Sequence, residues 1–450
     1  MKKFGTKRLA LGVGVLLAAA SYAVMPGFAS ASPVDNPNDK AYVVRTAVPD
    51  NAKAKAEGPT AAQLKAYVPQ SVRLVDSQAT PETVALYDYL AALPKTGHYL
   101  YGHQNDAHHK MFRIKPGDGT NSDTKDVTGS LAGVIGVDAL SLTGAELTLT
   151  PEEKEAGVTY TQKLLDISEK ANAEGAILTL SMHMPNFDAV AKKGKVDGHY
   201  DFGGYSPNNL SGNVAHRILP GGDLHEVYTA YLDMVADYAL ALQKKHIPVI
   251  FRPFHEHNGS WFWWGKGSTS EADFLKLWQT TVQYMRDEKG VHNFLYAYSP
   301  NGPCTDSGTY LDRYPGNSYV DILGLDFYCD NNNANWYDDL RDSLDVMRDL
   351  AKASHKITAL TEAGIRNGGS LAIKGNDKKW FHNTGEIVRK SGASYFLTWA
   401  NFEKLEHNFF EPYMVSPTRG HEMVNDFVNF YNEPATIFAD GVKDYTELAK

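Results

Sequence analysis

Two glutamates stand at the ends of apolar runs that are typical of buried strands. Glu256 closes the run PVIFRPFHE (248–256), and Glu362 lies near the end of ITALTEA (357–363). Two carboxyl groups about 5 Å apart can carry out retaining glycoside hydrolysis, because an ionised carboxylate attacks the sugar while a protonated carboxyl serves the leaving oxygen. Either glutamate alone could be a solvated loop residue or a helix cap. As a pair at two strand ends, they are our candidate catalytic residues.

Strand alternation predicts which neighbours share a face with each glutamate. Side chains two residues apart point to the same side of a strand. Arg252 and Phe254 should therefore lie on the face of Glu256, and Leu360 on the face of Glu362. The strand ends would then direct both carboxyl groups toward one another.

Histidines near Glu256 raise the alternative of a metal site. His255 and His257 form a His-x-His pattern around this glutamate. Such pairs bind zinc when other strand ends add ligands, and His183 or Asp326 could supply them. Alternation puts both histidines on the face opposite to Glu256, which disfavours metal catalysis. We expect neither a metal nor any other cofactor.

Serine and cysteine nucleophiles have little support in this chain. The sequence has no Gly-x-Ser-x-Gly elbow, and neither Cys304 nor Cys329 has an adjacent histidine. The two cysteines follow neighbouring predicted strands. This placement fits either a disulfide between their loops or two free thiols.

Aromatic residues close to the strand ends could bind a sugar. The run WFWW (261–264) cannot face inward as a whole, so we expect at least one exposed ring. Aromatic faces pack well against apolar surfaces such as the C–H faces of sugars; the alternative is packing beneath a loop. Asp326 and Tyr328 share a face at another strand end. There the tyrosine hydroxyl could bind a nucleophilic carboxylate, or the ring could simply fill the interior.

The elements that must position these residues alternate along the chain. Eight runs read as strands: 98–103, 132–138, 177–183, 248–256, 293–299, 321–328, 357–363 and 395–401. Helical spacing covers the intervals 151–174, 224–245, 271–289 and 336–353. Eight such units predict an α/β chain folded as a (β/α)8 barrel. The alternative, an open doubly wound sheet, is disfavoured because no Gly-rich phosphate-binding turn follows the first strands.

Reactive and aromatic side chains concentrate where the predicted strands end. In a (β/α)8 barrel, these carboxyl ends form the active-site face. The residues found there are His103, Gln104, His183, Glu256, Asp326, Tyr328, Glu362 and Trp399. This distribution indicates an enzyme.

The first 31 residues have the pattern of a secretory signal peptide. Basic residues at 2, 3, 7 and 8 precede the apolar run 9–24, and Ala29-Ser30-Ala31 offers a small-x-small cleavage site. We expect cleavage after Ala31 and a secreted, extracellular protein. Residues 32–71 read as an arm or linker, and 72–450 as a single catalytic domain.

The remaining chain is acidic. Cleavage would remove four of the 44 basic residues and none of the 53 acidic ones, which changes the net charge from −9 to −13. Such a charge disfavours nucleic acid as a partner, and no other segment is apolar enough to span a membrane. We expect a soluble protein that is a monomer.

The run IFRPFHEHNGSWFWWG (250–265) resembles the acid/base segment of glycoside hydrolase family 26, whose best-known members are endo-β-1,4-mannanases. Five further motifs occur in family order. They are YGHQ (101–104), GLDFY (324–328), LTEAG (360–364), FLTWAN (396–401) and HNFFEPY (407–413). The resemblance covers most of residues 85–440. It implies a (β/α)8 barrel and retention through a covalent glycosyl-enzyme intermediate.

The resemblance also implies roles for single residues. Glu256 matches the general acid/base and Glu362 the nucleophile, with Tyr328 hydrogen-bonded to the nucleophile. Residues that match the subsite of the attacked sugar are His183, His255, Trp261 and Trp399. Asp326, beside Tyr328, is our further candidate for substrate binding.

Two positions depart from the family pattern. His257 stands where many relatives have Met, beside the matched acid/base, so the environment of that glutamate is in question. Ala400-Asn401 follows Trp399 where some members carry an arginine, which puts substrate contacts at that edge in question.

The implied substrate is a β-mannan, including glucomannan and galactomannan. β-1,3-Xylan and mixed-linkage β-glucan are the alternatives within the family. A carbohydrate-binding protein without activity is an alternative from a different class, and the presence of both glutamates argues against it.

Overall fold

The computed structural model describes residues 43–50, 57–71, 73–111, 118–330, 335–366, 377–402, 409–442 and 445–449. The predicted signal peptide, 1–31, lies outside these residues. Part of the predicted arm, 32–71, lies within them.

Eight parallel strands close into a barrel, so the predicted (β/α)8 fold is confirmed and the open sheet is wrong. The strands are β1 (Tyr99–Gln104), β2 (Val134–Asp138), β3 (Ile177–Ser181), β4 (Val249–Arg252), β5 (Phe294–Tyr298), β6 (Ile322–Asp330), β7 (Ile357–Arg366) and β8 (Tyr395–Thr398). Each strand pairs with the next in sequence order, and β8 pairs with β1 to complete the ring. A short strand, Thr436–Ile437, also pairs with the start of β1.

Alternating side chains divide the buried residues into two clusters. One cluster fills the barrel interior and includes Leu100, Ile250, Leu295 and Ala359. The same cluster contains Leu86 and Leu90 of the helix Pro81–Ala92, so this helix closes the amino-terminal end of the barrel. The other cluster, which includes Tyr101, Phe251, Leu325, Leu360 and Phe396, packs the outer faces of the strands against the helices.

Helices follow the strands and surround the barrel. In chain order the α-helices are Ala61–Lys65, Pro81–Ala92, Asp123–Thr128, Pro151–Glu155, Tyr160–Ala173, Phe187–Lys193, Val214–Arg217, His225–Lys244, Glu271–Gln283, Ser307–Tyr310, Trp336–Ser354, Trp380–Ser391 and Val424–Tyr431. The interval 151–174, predicted as helical, is two helices. Gly157 turns the chain with a left-handed φ of 72°, and Thr159 starts the second helix through a capping box with Gln162.

The arm packs against the barrel where the structure describes it. Val43–Arg45 pairs antiparallel with Arg419–His421. The helix Ala61–Lys65 places Leu64, which is 1% exposed, in the cluster at the closed end of the barrel. Within the described residues, no helix combines the length and the apolar character needed to cross a membrane.

Candidate active site

Glu256 is positioned by a tight turn that begins where β4 ends. The strand stops at Arg252, and both Phe254 and Glu256 adopt left-handed backbone conformations with φ of 52°. Such conformations are costly for residues other than glycine and concentrate at functional sites. The N–H of Glu256 donates to the carbonyl of Ser299, beyond the end of β5, at 2.8 Å.

The turn overturns the predicted alternation around Glu256. Phe254 does not share its face: the ring packs against Phe274 and Trp278 of a surrounding helix. Arg252, on the last strand position, points inward as predicted, because its guanidinium reaches side chains of β6 and β7.

Glu362 reaches the barrel mouth because β7 contains a bulge. Leu360 aligns with Leu325 and Glu362 with Asp326, so one residue of β7, Thr361, has no counterpart on β6. A bulge of one residue reverses the faces that follow it. The predicted shared face of Leu360 and Glu362 is therefore wrong, since Leu360 packs in the outer cluster.

Both oxygens of Glu362 accept hydrogen bonds from strong donors. Arg252 Nη2 donates to Oε2 at 2.7 Å, and the Tyr328 hydroxyl donates to Oε1 at 2.5 Å. A buried guanidinium and a phenol favour a negatively charged carboxylate. Glu362 itself is 5% exposed. This setting suits an ionised nucleophile.

Asp326 lies behind Arg252 and is fully buried. Its Oδ2 accepts from Arg252 Nη1 at 2.6 Å, and its Oδ1 accepts from the Thr361 hydroxyl at 2.7 Å. Burial, together with the carboxylates of Glu362 and Glu256, outweighs Arg252 and raises the pKa of Asp326 well above its usual range. These contacts place Asp326 as the support that holds Arg252 against Glu362.

Glu256 has different surroundings. The indole N–H of Trp261 donates to its Oε2 at 2.6 Å, and the residue as a whole is 6% exposed. Trp261 is the partly exposed member of the run 261–264, and the other three rings are buried. Phe262 stacks on Trp264 with ring centroids 4.4 Å apart. The run thus combines one accessible ring with a buried support.

His183, His255 and Trp399 lie together at the mouth. His183 Nε2 is 3.1 Å from His255 Nε2, and the centroids of the His183 and Trp399 rings are 5.5 Å apart. Trp399 also forms a small aromatic cluster with Tyr328 and Phe410. The structure therefore brings the predicted sugar-binding residues next to the partners of Glu362.

His257 is separated from His255, which overturns their predicted common face. Its ring lies between Phe274 and Tyr298, each with a centroid distance of 4.7 Å. Burial, with the positive charges of Arg313 and Lys266, lowers its pKa well below the usual value. Among the described residues, neither ring nitrogen has a hydrogen-bond partner. The side chain is a neutral packing residue, as a methionine would be.

The side chain of Asn401 makes hydrogen bonds to two other segments of the protein. Its side-chain oxygen accepts from the N–H groups of Phe410 and Glu411 at 2.8 and 3.1 Å, and its amide donates to Asp123 at 2.9 Å. These bonds hold the segment that carries Phe410 against Tyr328.

Other groups that could do chemistry lie apart from the two glutamates. Cys304 and Cys329 are both buried and are not joined in a disulfide. Burial, with nearby carboxylates, raises the pKa of the Cys304 thiol to about 12. Within the described ranges, one set of side chains has the spacing of metal ligands. It is His103, Asp106 and Glu411, whose ligand atoms lie within 4.8 Å of one another.

The side chains of this set already take part in hydrogen bonds within the protein. Glu411 accepts from the hydroxyl groups of Tyr101 and Thr124 at 2.8 and 2.7 Å. Burial, with Asp106 nearby, raises the pKa of Glu411 well above its usual range. Hydroxyl donors and a carboxyl whose charged form is disfavoured by burial fit an internal network.

Sequence reasoning missed the residues that support the site. Arg252 was assigned to the correct face but not to a role, and the signal for it was its position four residues before Glu256, on the same predicted face. Asp138 and Ser299 end the predicted runs 132–138 and 293–299, and this signal was not used. Thr361 gave no signal, because its contact with Asp326 joins two strands that are distant in sequence.

The sequence model of glycosyl hydrolase family 26 matches residues 75–408. A mannan endo-1,4-beta-mannosidase of Bifidobacterium adolescentis is 36% identical over 354 residues, which are 75% of this chain and 33% of that protein. The chain therefore spans about a third of the length of this curated relative.

Solved structures resemble the whole barrel. The catalytic domain of a Bacillus sp. JAMB-750 endo-beta-1,4-mannanase has a TM-score of 0.74 at 36% identity, covering 85% of this chain and 97% of that one. A modular endo-beta-1,4-mannanase from Cellulomonas fimi has a TM-score of 0.71 at 33% identity, covering 83% and 79%.

Proposed function

The chain belongs to glycosyl hydrolase family 26, and from this premise we propose that it is an endo-β-1,4-mannanase that hydrolyses internal bonds of β-mannans with retention. The observation that carries the proposal is the unequal setting of two glutamates at one barrel mouth. Glu362 accepts from a guanidinium and a phenol, and Glu256 accepts from an indole. Arg252, the last residue of β4, donates to Glu362 of β7, and Glu256 follows Arg252 by four residues.

The reaction proceeds in two displacements. The carboxylate of Glu362 attacks the anomeric carbon while the carboxyl of Glu256 gives its proton to the leaving glycosidic oxygen. Glu256, now a carboxylate, then takes a proton from a water molecule. The resulting hydroxyl attacks the same carbon and releases Glu362 as a carboxylate. Two inversions give the product the original configuration.

Aromatic side chains and neutral sugars fit together at this mouth. Trp261 is partly exposed, and Trp399 is 8% exposed beside His183. Ring faces of this kind contact the C–H face of a pyranose with little loss of side-chain entropy. The relatives named as mannan endo-1,4-β-mannosidases support mannan as the substrate.

The proposal is tested by product analysis on a panel of mannan, glucomannan, galactomannan, β-1,3-xylan and lichenan. We expect oligosaccharides of mixed length from the three mannans, and none when Glu362 is replaced by alanine. If products come only from β-1,3-xylan or lichenan, mannan is not the substrate, but the protein is still a glycoside hydrolase. Binding of mannan without any reducing-end release would contradict hydrolysis.

We also propose that the protein is secreted and acts as a free monomer. The support is the signal-peptide pattern of residues 1–31. Amino-terminal sequencing of protein from culture medium should begin at Ser32. Intact Met1 on a cell-associated protein would contradict secretion, and light scattering of the purified protein checks the monomer.

A further inference from the structure

Asp138, the last residue of β2, is a fully buried carboxylate that the two displacements do not use. Its Oδ1 accepts from the backbone N–H groups of Leu140 at 2.9 Å and His183 at 3.1 Å. Its Oδ2 accepts from the Ser181 hydroxyl at 2.6 Å and lies 2.8 Å from His183 Nδ1. Four contacts therefore converge on one side chain.

These contacts fix a proton on His183. Burial alone would raise the pKa of Asp138, but the charge and the hydrogen bond of His183, with the other donors, lower it to about 2. An ionised carboxylate can only accept hydrogen bonds. His183 Nδ1 must therefore carry a proton, and the ring orientation is fixed with it.

The opposite nitrogen of His183 faces a second histidine. The two Nε2 atoms, of His183 and His255, are 3.1 Å apart, so one proton must lie between them, because two lone pairs or two N–H groups would repel. Either a protonated His183 donates to a neutral His255, or His255 donates to a neutral His183. The pair thus has two proton arrangements.

Neighbouring charges decide between these arrangements. Burial lowers the pKa of His183, but Asp138 outweighs it, with smaller contributions from Glu362 and Glu146, and the net change is upward. Burial lowers the pKa of His255 well below its usual value, and the positive charges of His183 and Arg252 add to this. Asp138 therefore favours the arrangement in which His183 carries the charge.

The histidine pair borders the proposed sugar site. The ring of His183 lies 5.5 Å from that of Trp399 and 5.4 Å from that of Phe262, measured between centroids. His255 lies 5.2 Å from Phe262. A change in the protons of this pair would be felt at the sugar-facing wall and at Glu362.

We propose that Asp138 is a positioning residue of this active site, which acts through His183 to fix the orientation and the proton arrangement of the His183–His255 pair beside Trp399. Asp138 itself touches no reacting atom. The effect on turnover rests on the proposed function, since it is measured on mannan. The proton arrangement can be measured without substrate.

The first test is Asp138→Asn, which keeps the size of the side chain and removes its charge. We expect kcat on mannan to fall at least about tenfold with KM changed less than about threefold, because the orientation of bound sugar at the reaction step is affected more than binding. Without the carboxylate, the pKa of His183 falls. The limb of the pH–rate profile that reports this histidine should therefore move to lower pH.

Asp321→Asn is the matched control. Asp321 is another buried carboxylate, just before β6 at the closed end of the barrel, and accepts from the N–H groups of Val75 and Tyr296 at 2.8 and 2.9 Å. Its replacement should lower Tm and leave the pH–rate profile unchanged. An unchanged profile in Asp138→Asn, or an equal change in both variants, would overturn the proposal.

The second test is NMR of the ¹⁵N-histidine-labelled protein. The wild type should show a protonated Nδ1 on His183, and Asp138→Asn should show this ring titrating at lower pH. An unprotonated Nδ1 in the wild type would overturn the proposal even if Asp138→Asn does not fold. If the wild type does not cleave mannan, the proposed function fails while this measurement still decides the proton arrangement.

Discussion

Glu256 and Glu362 lie at one barrel mouth, yet their surroundings differ in charge and in backbone. Glu362 stands on a strand and accepts from Arg252 and Tyr328. Glu256 stands on a turn in a left-handed conformation, and the indole of Trp261 donates to it. Two identical side chains can take opposite roles in acid–base chemistry when their environments favour different protonation states. We propose that the donors around each carboxyl group set its role.

The largest effect should come from replacing each glutamate by alanine. Glu362→Ala should lose at least about 10⁴-fold in kcat on every substrate, because the attacking group is absent. Glu256→Ala should lose about 10²–10⁴-fold on mannan, where the leaving oxygen needs a proton. On an aryl mannobioside with an acidic phenol, which leaves without a proton, the loss in Glu256→Ala should be much smaller. Equal losses on both substrates would show that the roles are not divided in this way.

The next effect concerns the phenol on Glu362. Hydrogen bonds to charged groups contribute about 1.5–3 kcal/mol, so Tyr328→Phe should lower kcat/KM by about 10- to 150-fold. Tyr298→Phe is a matched control, since the Tyr298 hydroxyl donates to backbone carbonyls of Tyr310 and Asp312. That control should lower Tm with little change in rate. Full activity in Tyr328→Phe would show that the Tyr328 hydroxyl does not assist Glu362.

A smaller effect is expected at Trp261. Trp261→Phe removes a hydrogen bond to Glu256 that contributes about 0.5–1.5 kcal/mol, which corresponds to about a 2- to 12-fold loss in kcat/KM. Trp263→Phe provides the comparison, because the indole of Trp263 donates to the carbonyl of Pro185 at 3.1 Å and the ring is 1% exposed. It should reduce thermal stability and leave the rate nearly unchanged. The reverse pattern would exchange the roles of the two tryptophans.

The smallest effect on activity is expected at His257. His257→Met replaces the buried ring with an apolar side chain of similar volume. Volume-conserving swaps in a core cost less than about 1.5 kcal/mol in stability. Burial lowers the pKa of His257 in the folded state, whereas in the unfolded state it is about 6.5. Below that pH the unfolded chain binds a proton that the folded protein excludes, so the wild type loses stability as the pH falls.

Urea unfolding between pH 7 and pH 4 checks this difference. The free energy of unfolding of His257→Met should fall less with decreasing pH than that of the wild type, with kcat near the wild-type value. Parallel pH dependence in the two proteins would show that His257 is not held neutral. A large loss of kcat would mean that it does influence Glu256.

The sequence predicted the elements better than the local geometry. All eight strand runs and the barrel are confirmed, because strongly apolar runs separated by helical patterns leave few alternatives. The alternation rule placed Arg252 correctly and then gave a wrong face for Phe254 and Leu360. A left-handed turn and a bulge changed the direction of the chain there, and both depend on contacts between strands.

The hydrogen bonds that support the site could not be predicted from the sequence, for a related reason. Arg252, Asp326 and Glu362 come from three strands that are far apart in the chain, and the hydrogen bonds among them arise only when the barrel closes. The motif resemblance identified the two glutamates without this information. Their assigned roles stay predictions.

The central claim is that Glu362 is a nucleophile that forms a covalent intermediate. The most direct measurement is mass spectrometry of the protein after reaction with an activated 2-deoxy-2-fluoro-β-mannobioside, followed by protease digestion. The account predicts one added glycosyl group, located on Glu362 and absent from Glu362→Ala. A label on another residue, or no label on an enzyme that cleaves mannan, would contradict it.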